Sequence, residues 1–512
     1  MLKLENTFTS SLPGDPNQDI WPRQVENAMY SFVLPQKFPL AKLRILNDVL
    51  TEELGLSTVK IDILEQTLTG NQIPLSSQPY AMVYGGHQFG QWAGQLGDGR
   101  AINLGEIYVN GHPYTLQLKG AGPTPYSRAA DGYAVLRSSI REFLISEAMY
   151  YLRIPTTRAL SLATTGASVL RDIMYNGNAA YEPGAIVCRT APTFIRFGNF
   201  EIFSRRNDIT NLKLLADYTI HQHFKHLEGN VNKYLAFFRE VARLTCDLMV
   251  EWQRVGFVHG VMNTDNMSII GLTIDYGPFG WMDNYDPYFT PNTTDLPGKR
   301  YQYANQPYIA QWNLMCLGRA LLPLIHDDQA IVSVLNSYRA QFEEKYLTMM
   351  SSKLGLDHQK VSMNFIEELL KTLEENVLDM TIFYCQLAEL THETTPDDIS
   401  TLFLSAKYKS DDLSASFFGW IKAYQSLLPQ DKASILEKKR IMARSNPRYV
   451  LRNYMLQLAI ESAQNDDFSL VNTLFELIKN PYDKNKEAEM WFSIRPEWAA
   501  QKIGSSMLSC SS

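Results

Sequence analysis

Long apolar runs, paired cysteines and a marked excess of one charge are all missing from this 512-residue chain. No stretch reaches the roughly 18 uninterrupted apolar residues of a membrane span. The opening MLKLENTFTSSLPGDP carries no apolar signal core. A soluble, cytoplasmic protein without a membrane partner is the expectation. The five cysteines, at 188, 246, 316, 385 and 510, are scattered with no CxxC pair and no Cys/His cluster. That spacing removes the usual sequence signatures of zinc and of a disulfide framework, and it points to a reducing compartment. A net charge of −7, without long runs of one sign, gives no hint of a nucleic-acid partner. What is present is 45% hydrophobic residue, enough over this length for two or three domains around a sizeable core.

The pattern changes along the chain. Residues 1–80 mix turn signals with one expected helix near 40–54 and read as an N-terminal extension. Glycines then crowd between 85 and 122, flanking β-type runs such as AINLGEIYV and YTLQLKG. Ile140, Phe143, Leu144, Ala148 and Tyr151 recur at helical spacing until Ile154-Pro155, which predicts an amphipathic helix from Ser139 to Leu152. Further strands are expected at ALSLATTG, GAIVCRT and TFIRFG. Beyond about 200 the period becomes helical, with Phe237, Val241, Leu244 and Leu248 on one face before Gly256. The fold class is therefore α+β: a β-rich lobe over 81–200, an α-rich lobe over 201–400, and a helical C-terminal region over 401–512 with a mobile, cysteine-containing tail.

Three segments carry chemistry. Gly94-Gln95-Leu96-Gly97-Asp98-Gly99-Arg100 leads into a strand; glycines let backbone N–H groups approach phosphate oxygens, although such loops are often simple turns. Lys119 ends the next strand and Glu142 follows 23 residues later inside the helix, the spacing by which kinase-like folds pair a strand lysine with a helix carboxylate. Third comes Val258-His259-Gly260-Val261-Met262-Asn263-Thr264-Asp265-Asn266, then a short expected hairpin, then Asp275-Tyr276-Gly277. His259 and Asn266 lie seven apart, as in a kinase catalytic loop, and Asn266 and Asp275 supply the hard oxygen donors that suit Mg²⁺. Order and spacing agree across all three, so the lobes are expected to form a bilobal protein-kinase-like fold.

One position departs from that pattern. Two residues after the histidine a kinase carries the aspartate that orients the acceptor hydroxyl, and here that residue is Val261. Asp265, directly before Asn266, is the nearest carboxylate able to accept a proton. Asp131-Gly132 and the arginines Arg189 and Arg196 lie between the motifs. On residue type alone the arginines read as surface charge.

Together, YGGHQFGQWAGQLGDGRAINLGE, LQLKGAGPTPYSRAADGYAVLRSSIREFLISEAM, VHGVMNTDNMSIIGLTIDYGPFGWMD and NPRYVLRNYMLQLAIESA resemble the selenoprotein O family of kinase-like protein adenylyltransferases, over about residues 80–465. The resemblance implies ATP bound in a flipped orientation and AMP transfer to Ser, Thr or Tyr hydroxyls of protein substrates, with loss of pyrophosphate. Carried over by motif, Gly97, Gly99 and Arg100 form the nucleotide loop, Lys119 pairs with Glu142, and Asp131 and Gly132 contact the nucleotide. Arg189 and Arg196 hold the inverted phosphates, Asp265 is the proton acceptor, and Asn266 and Asp275 bind Mg²⁺, with Mn²⁺ as the alternative ion. Some family members carry selenocysteine where this chain has Cys510, which implies a redox role for that thiol. Competing readings are UMP transfer from UTP with Mn²⁺, a conventional kinase, and a silent nucleotide-binding pseudokinase scaffold.

Overall fold

The computed structural model describes residues 2–409 and 412–509. Its first 200 residues supply β1 (Gly14–Asp15), β2 (Tyr30–Phe32), β3 (Lys42–Leu46), β4 (Tyr80–Met82), β5 (Gly85–Gln88), β6 (Gln91–Gln95), β7 (Ala101–Val109), β8 (His112–Lys119), β9 (Ala134–Val135), β10 (Arg158–Arg171) and β11 (Ala180–Ala191). All but β5 and β6 join one mixed sheet in the order β1-β2-β4-β7-β8-β11-β10-β3, with β9 on β11. β5 and β6 form a separate hairpin. β7 and β8 are buried along nearly their whole length, because the chain's first residues cross β7 through a Glu5–Glu106 bridge. Gly105 permits that crossing: φ is +126° and a Cβ would sit 2.7 Å from the Glu5 carbonyl oxygen.

The expected helix near 40–54 is only half right. Lys42–Leu46 is strand β3, paired with β10, and the helix begins after it, at Asp48–Glu53, where the Asn47 side chain caps it. β-Branched and leucine residues opposite β10 favour pairing over a helix there. The run TFIRFG is not a strand either; Arg196 caps the helix Phe197–Arg205.

The helix Leu136–Tyr151 is buried on nearly every side rather than amphipathic. Its sheet-facing side packs against β10 and β11, and the helices Asn453–Gln464 and Ser469–Ile478 cover the other, with Phe143 and Phe475 rings 5.2 Å apart. Two of its buried charged residues are ion-paired, Arg137 with Glu182 at 2.9 Å and Glu147 with Arg158 at 2.7 Å, whereas among the described residues Arg141 has only the Phe279 carbonyl at 2.9 Å and the Phe279 ring. The helix Lys233–Val255 ends at Gly256 in the left-handed conformation, as its sequence predicts.

β12 (Phe257–Val258) and β13 (Gly280–Trp281) pair antiparallel and bracket the catalytic-type loop. The short hairpin expected after Asn266 does not form. Ser268 bridges to Arg196 and Thr273 to Thr156, so the loop is stitched to its neighbours instead of to itself. Helices dominate from Gln306 on. Against the expected mobile tail, Leu508 is buried, its carbonyl accepts the Thr293 N–H at 2.7 Å, and the Ser509 hydroxyl bonds the Ile173 carbonyl. Cys510 lies outside the described residues. No described helix is long and apolar enough to cross a membrane.

Candidate active site

Between the sheet and the loop that follows β12 lies a cleft of about 850 Å³, lined by Gly97, Gly99, Arg100, Lys119, Asp131, Gly132, Arg189, Asp265, Asn266 and Asp275. The fold explains how residues so far apart meet there. Gln117 and Lys119 alternate along β8 onto one face, and β11 brings Arg189 directly opposite Gln117. The buried helix Leu136–Tyr151 delivers Glu142 to the same face.

Lys119 Nζ lies 2.7 Å from Glu142 Oε2, and Glu142 Oε1 lies 2.8 Å from Arg189 Nη1. That same Arg189 nitrogen is 2.8 Å from Asp275 Oδ1, while Arg196 Nη1 binds Asp275 Oδ2. Arg196 Nη2 also lies 3.8 Å from Asp98 Oδ1, so three cations face three carboxylates, all largely withdrawn from the surface. Burial would push Asp275 up, but Arg196, Arg189 and Lys119 outweigh it and hold the carboxyl well below the usual range. Burial presses Lys119 down to about 8 in spite of Glu142.

The two arginines are deeply buried rather than on the surface, with side chains only 1% and 2% exposed. Gln117 receives the Arg189 guanidinium, Nε at 3.0 Å. Arg196 donates to the Asp265 carbonyl at 3.1 Å and lies 4.5 Å over the Tyr84 ring. Sequence alone could not separate them from solubilising charge. Asp275 has φ of +56°, an uncommon left-handed conformation for a residue with a side chain, and such strain concentrates at functional sites.

The loop itself is held by several contacts. His259 donates through Nε2 to the Ile274 carbonyl at 2.8 Å, tying the loop to the Asp275 segment. Asn266 spends its amide nitrogen on the Val261 carbonyl at 2.9 Å, and its Oδ1 accepts no bond among the described residues. An uncommitted amide oxygen and a carboxylate held in its ionised form by neighbouring cations, both lining one cleft, are a donor set that fits a hard divalent cation. Burial pushes Asp265 up to about 7, only partly offset by a bond from Gln88. Gln88 Nε2 donates to Asp265 Oδ2 at 3.2 Å, and Oδ1 is buried without a partner. A carboxylate poised near neutrality and lacking a partner on one oxygen is equipped to accept a proton.

Other placements sharpen the glycine reading. A Cβ on Gly97 would lie 2.4 Å from the Tyr126 ring, and one on Gly99 2.9 Å from the Tyr126 carbonyl. These glycines are therefore required by packing on Tyr126, whatever the loop also binds. Arg100 makes no ion pair among the described residues. Asp131 sits at the rim with both carboxylate oxygens on Arg171, at 2.7 and 2.8 Å, and Gly132 beside it has no room for a side chain against Pro123. Sequence reasoning missed the β5–β6 hairpin. The His87 N–H donates to Thr264 Oγ1 at 2.7 Å, Phe89 N–H to Asn263 Oδ1 at 3.1 Å, and Gln88 holds Asp265. Gly86 is the detectable signal, since a Cβ there would stand 2.6 Å from Asp265 Oδ1.

Comparison with known proteins gives a consistent result. The family model described as "Protein adenylyltransferase SelO" matches residues 21–479. The chain is 49% identical to the "Protein nucleotidyltransferase YdiU" of Flavobacterium johnsoniae, over all of this chain and 99% of the relative. Proteins of the same description from Rhodopirellula baltica and Cytophaga hutchinsonii are 47% and 49% identical, again over all of this chain and 99% of each relative.

Proposed function

The chain belongs to the SelO family of protein adenylyltransferases and is a nucleotidyltransferase; from that premise we propose that it transfers AMP from ATP to Ser, Thr or Tyr hydroxyls of proteins, on a bilobal kinase-like fold with the triphosphate reversed. The observation that carries this reading is the convergence of buried Arg189 and Arg196 on Asp275, beside a loop in which Val261 replaces the kinase aspartate.

The residues divide the work. Lys119, Arg189 and Arg100 line the cleft where the phosphates would lie, with Arg196 buried behind Asp275, and a guanidinium fixes orientation as well as charge. As phosphate oxygens arrive, the arginines exchange Asp275 for phosphate, and Lys119 regains full protonation. Asn266 and Asp275 would hold Mg²⁺, or Mn²⁺ in its place, which when bound neutralises charge on the phosphate oxygens. Asp265 accepts the acceptor hydroxyl's proton; the oxygen bonds to the α-phosphorus, the bond to the bridging oxygen breaks, and pyrophosphate leaves. Positioning and preorganised charge supply the rate. Asp131 orders the cleft rim through Arg171, and Gly132 lets the chain pass close to Pro123 beside the nucleotide.

Incubating the protein with ATP labelled at the α or the γ phosphate tests this directly. Protein-bound α label with free pyrophosphate is the expected result. Protein-bound γ label without α label would establish a kinase, no label from either would establish a scaffold, and transfer only from α-labelled UTP with Mn²⁺ would make it a uridylyltransferase.

A further inference from the structure

The sequence offers no zinc motif, yet the fold gathers three side chains of metal-ligand type from separate elements. β5 carries His87, the helix Phe197–Arg205 carries Glu201, and the helix Gln306–Ile325 carries Cys316. One ligand atom from each lies within 4.8 Å of the other two. The His87 and Glu201 side chains are 11% and 3% exposed, and Cys316 is buried as well. Trp312, one turn before Cys316, packs edge-on against the His87 ring with centroids 5.5 Å apart, and Trp92 closes another side at 5.3 Å.

We propose that His87, Glu201 and Cys316 form a zinc site that fastens the β5–β6 hairpin to the helical lobe behind the catalytic loop. Imidazole, carboxylate and thiolate together suit Zn²⁺ and are a poor match for Mg²⁺, which takes oxygen donors. His87 Nδ1 already stands 2.6 Å from Glu201 Oε1. The second Glu201 oxygen, Oε2, is buried and has no hydrogen-bond partner, the mark of a group with unused coordinating capacity. A thiolate and a carboxylate balance the ion's two charges, and three protein ligands leave the fourth tetrahedral position to water.

Binding requires two proton movements. The Cys316 thiol, which burial pushes up to about 12 in the metal-free protein, releases its proton to solvent. The His87 ring proton moves from Nδ1 to Nε2, so the Arg205 guanidinium, 3.2 Å from Nε2, turns away. Arg205 is exposed, with its guanidinium 5.2 Å over the Trp92 ring, so it can swing toward solvent. The consequence reaches the chemistry through the hairpin, because His87 and Gln88 are the residues that hold Thr264 and Asp265.

The test is metal analysis of the full-length protein, purified with added zinc and without chelator, then dialysed. One zinc per chain is expected, retained in Asn266→Ala/Asp275→Ala and lost in Cys316→Ser and in His87→Gln. Replacement by Co²⁺ in the wild type should give a sulfur-to-cobalt charge-transfer band together with tetrahedral d–d bands, a readout independent of any variant's folding. No zinc in the wild type, zinc lost with Asn266 and Asp275 but kept in Cys316→Ser, or a cobalt spectrum without the sulfur band would each overturn the proposal.

Discussion

At the residue scale the site turns on Asp275. Its carboxylate is the meeting point of Arg189 and Arg196, so removing it leaves two buried guanidinium groups short of a partner and, on the proposed reading, takes away a donor to the cation. Asp275→Ala should lower α-label transfer by a factor of about 10³ or more, and it should cost about 3 kcal/mol of unfolding free energy, because breaking a buried pair strands charge. Denaturant titration and initial rates read the two effects separately. Gln88 acts through another residue: it orients the Asp265 carboxylate. Gln88→Leu is expected to reduce kcat about tenfold with the KM for ATP unchanged. A rise in KM with unaltered kcat would place Gln88 in nucleotide binding instead.

At the element scale, legibility in the sequence followed locality. Lys119, Glu142, Asn266 and Asp275 were readable because each sits at a fixed offset within its own strand, helix or loop. β7, β8, β10 and β11 were readable from apolar β-type runs. Features created by contacts across the chain were not. β3 becomes a strand because β10 lies beside it, and the Glu142 helix is buried all round because C-terminal helices far along the sequence cover it. The β5–β6 hairpin could not be placed against Asp265 by any local pattern. Lys353 is another such case. It lies in the last turn of a 27-residue helix, Asp328–Leu354, buried, donating to the Arg254 carbonyl at 2.8 Å and 4.0 Å from the Tyr384 ring. Burial, aided by Arg254, lowers its pKa from 10.5 to about 7. Above that value the folded lysine is neutral while the unfolded one still binds a proton, so this group's contribution to stability rises with pH between those values and falls toward pH 7. The slope is up to about 1.4 kcal/mol per pH unit. Lys353→Met should remove that slope, measured as the difference between the two proteins' unfolding free energies from about pH 7 to pH 10.

At the scale of the whole molecule, the C-terminal portion packs over an element of the candidate site. Asn453–Gln464 and Ser469–Ile478 cover the helix that aims Glu142. The final described residues run from Thr293, beside the Asn292 that bonds the Gly260 carbonyl, to Ile173 at the β10–β11 turn. A chain ending before Asn453 should expose Phe143 and its neighbours, and is expected to lose cooperative unfolding and ATP binding together, as read by calorimetry and by equilibrium binding. Retention of ATP binding by that truncated chain would show the covering helices to be dispensable.

The reversed triphosphate is the claim on which the others depend, and a structure with a non-hydrolysable ATP analogue and Mg²⁺ tests it most directly. The account predicts the α-phosphate nearest Asp265, with Arg189 and Arg196 shifted from Asp275 onto phosphate oxygens and the cation on Asn266 and Asp275. A γ-phosphate facing Asp265, with both arginines still on Asp275, would contradict it.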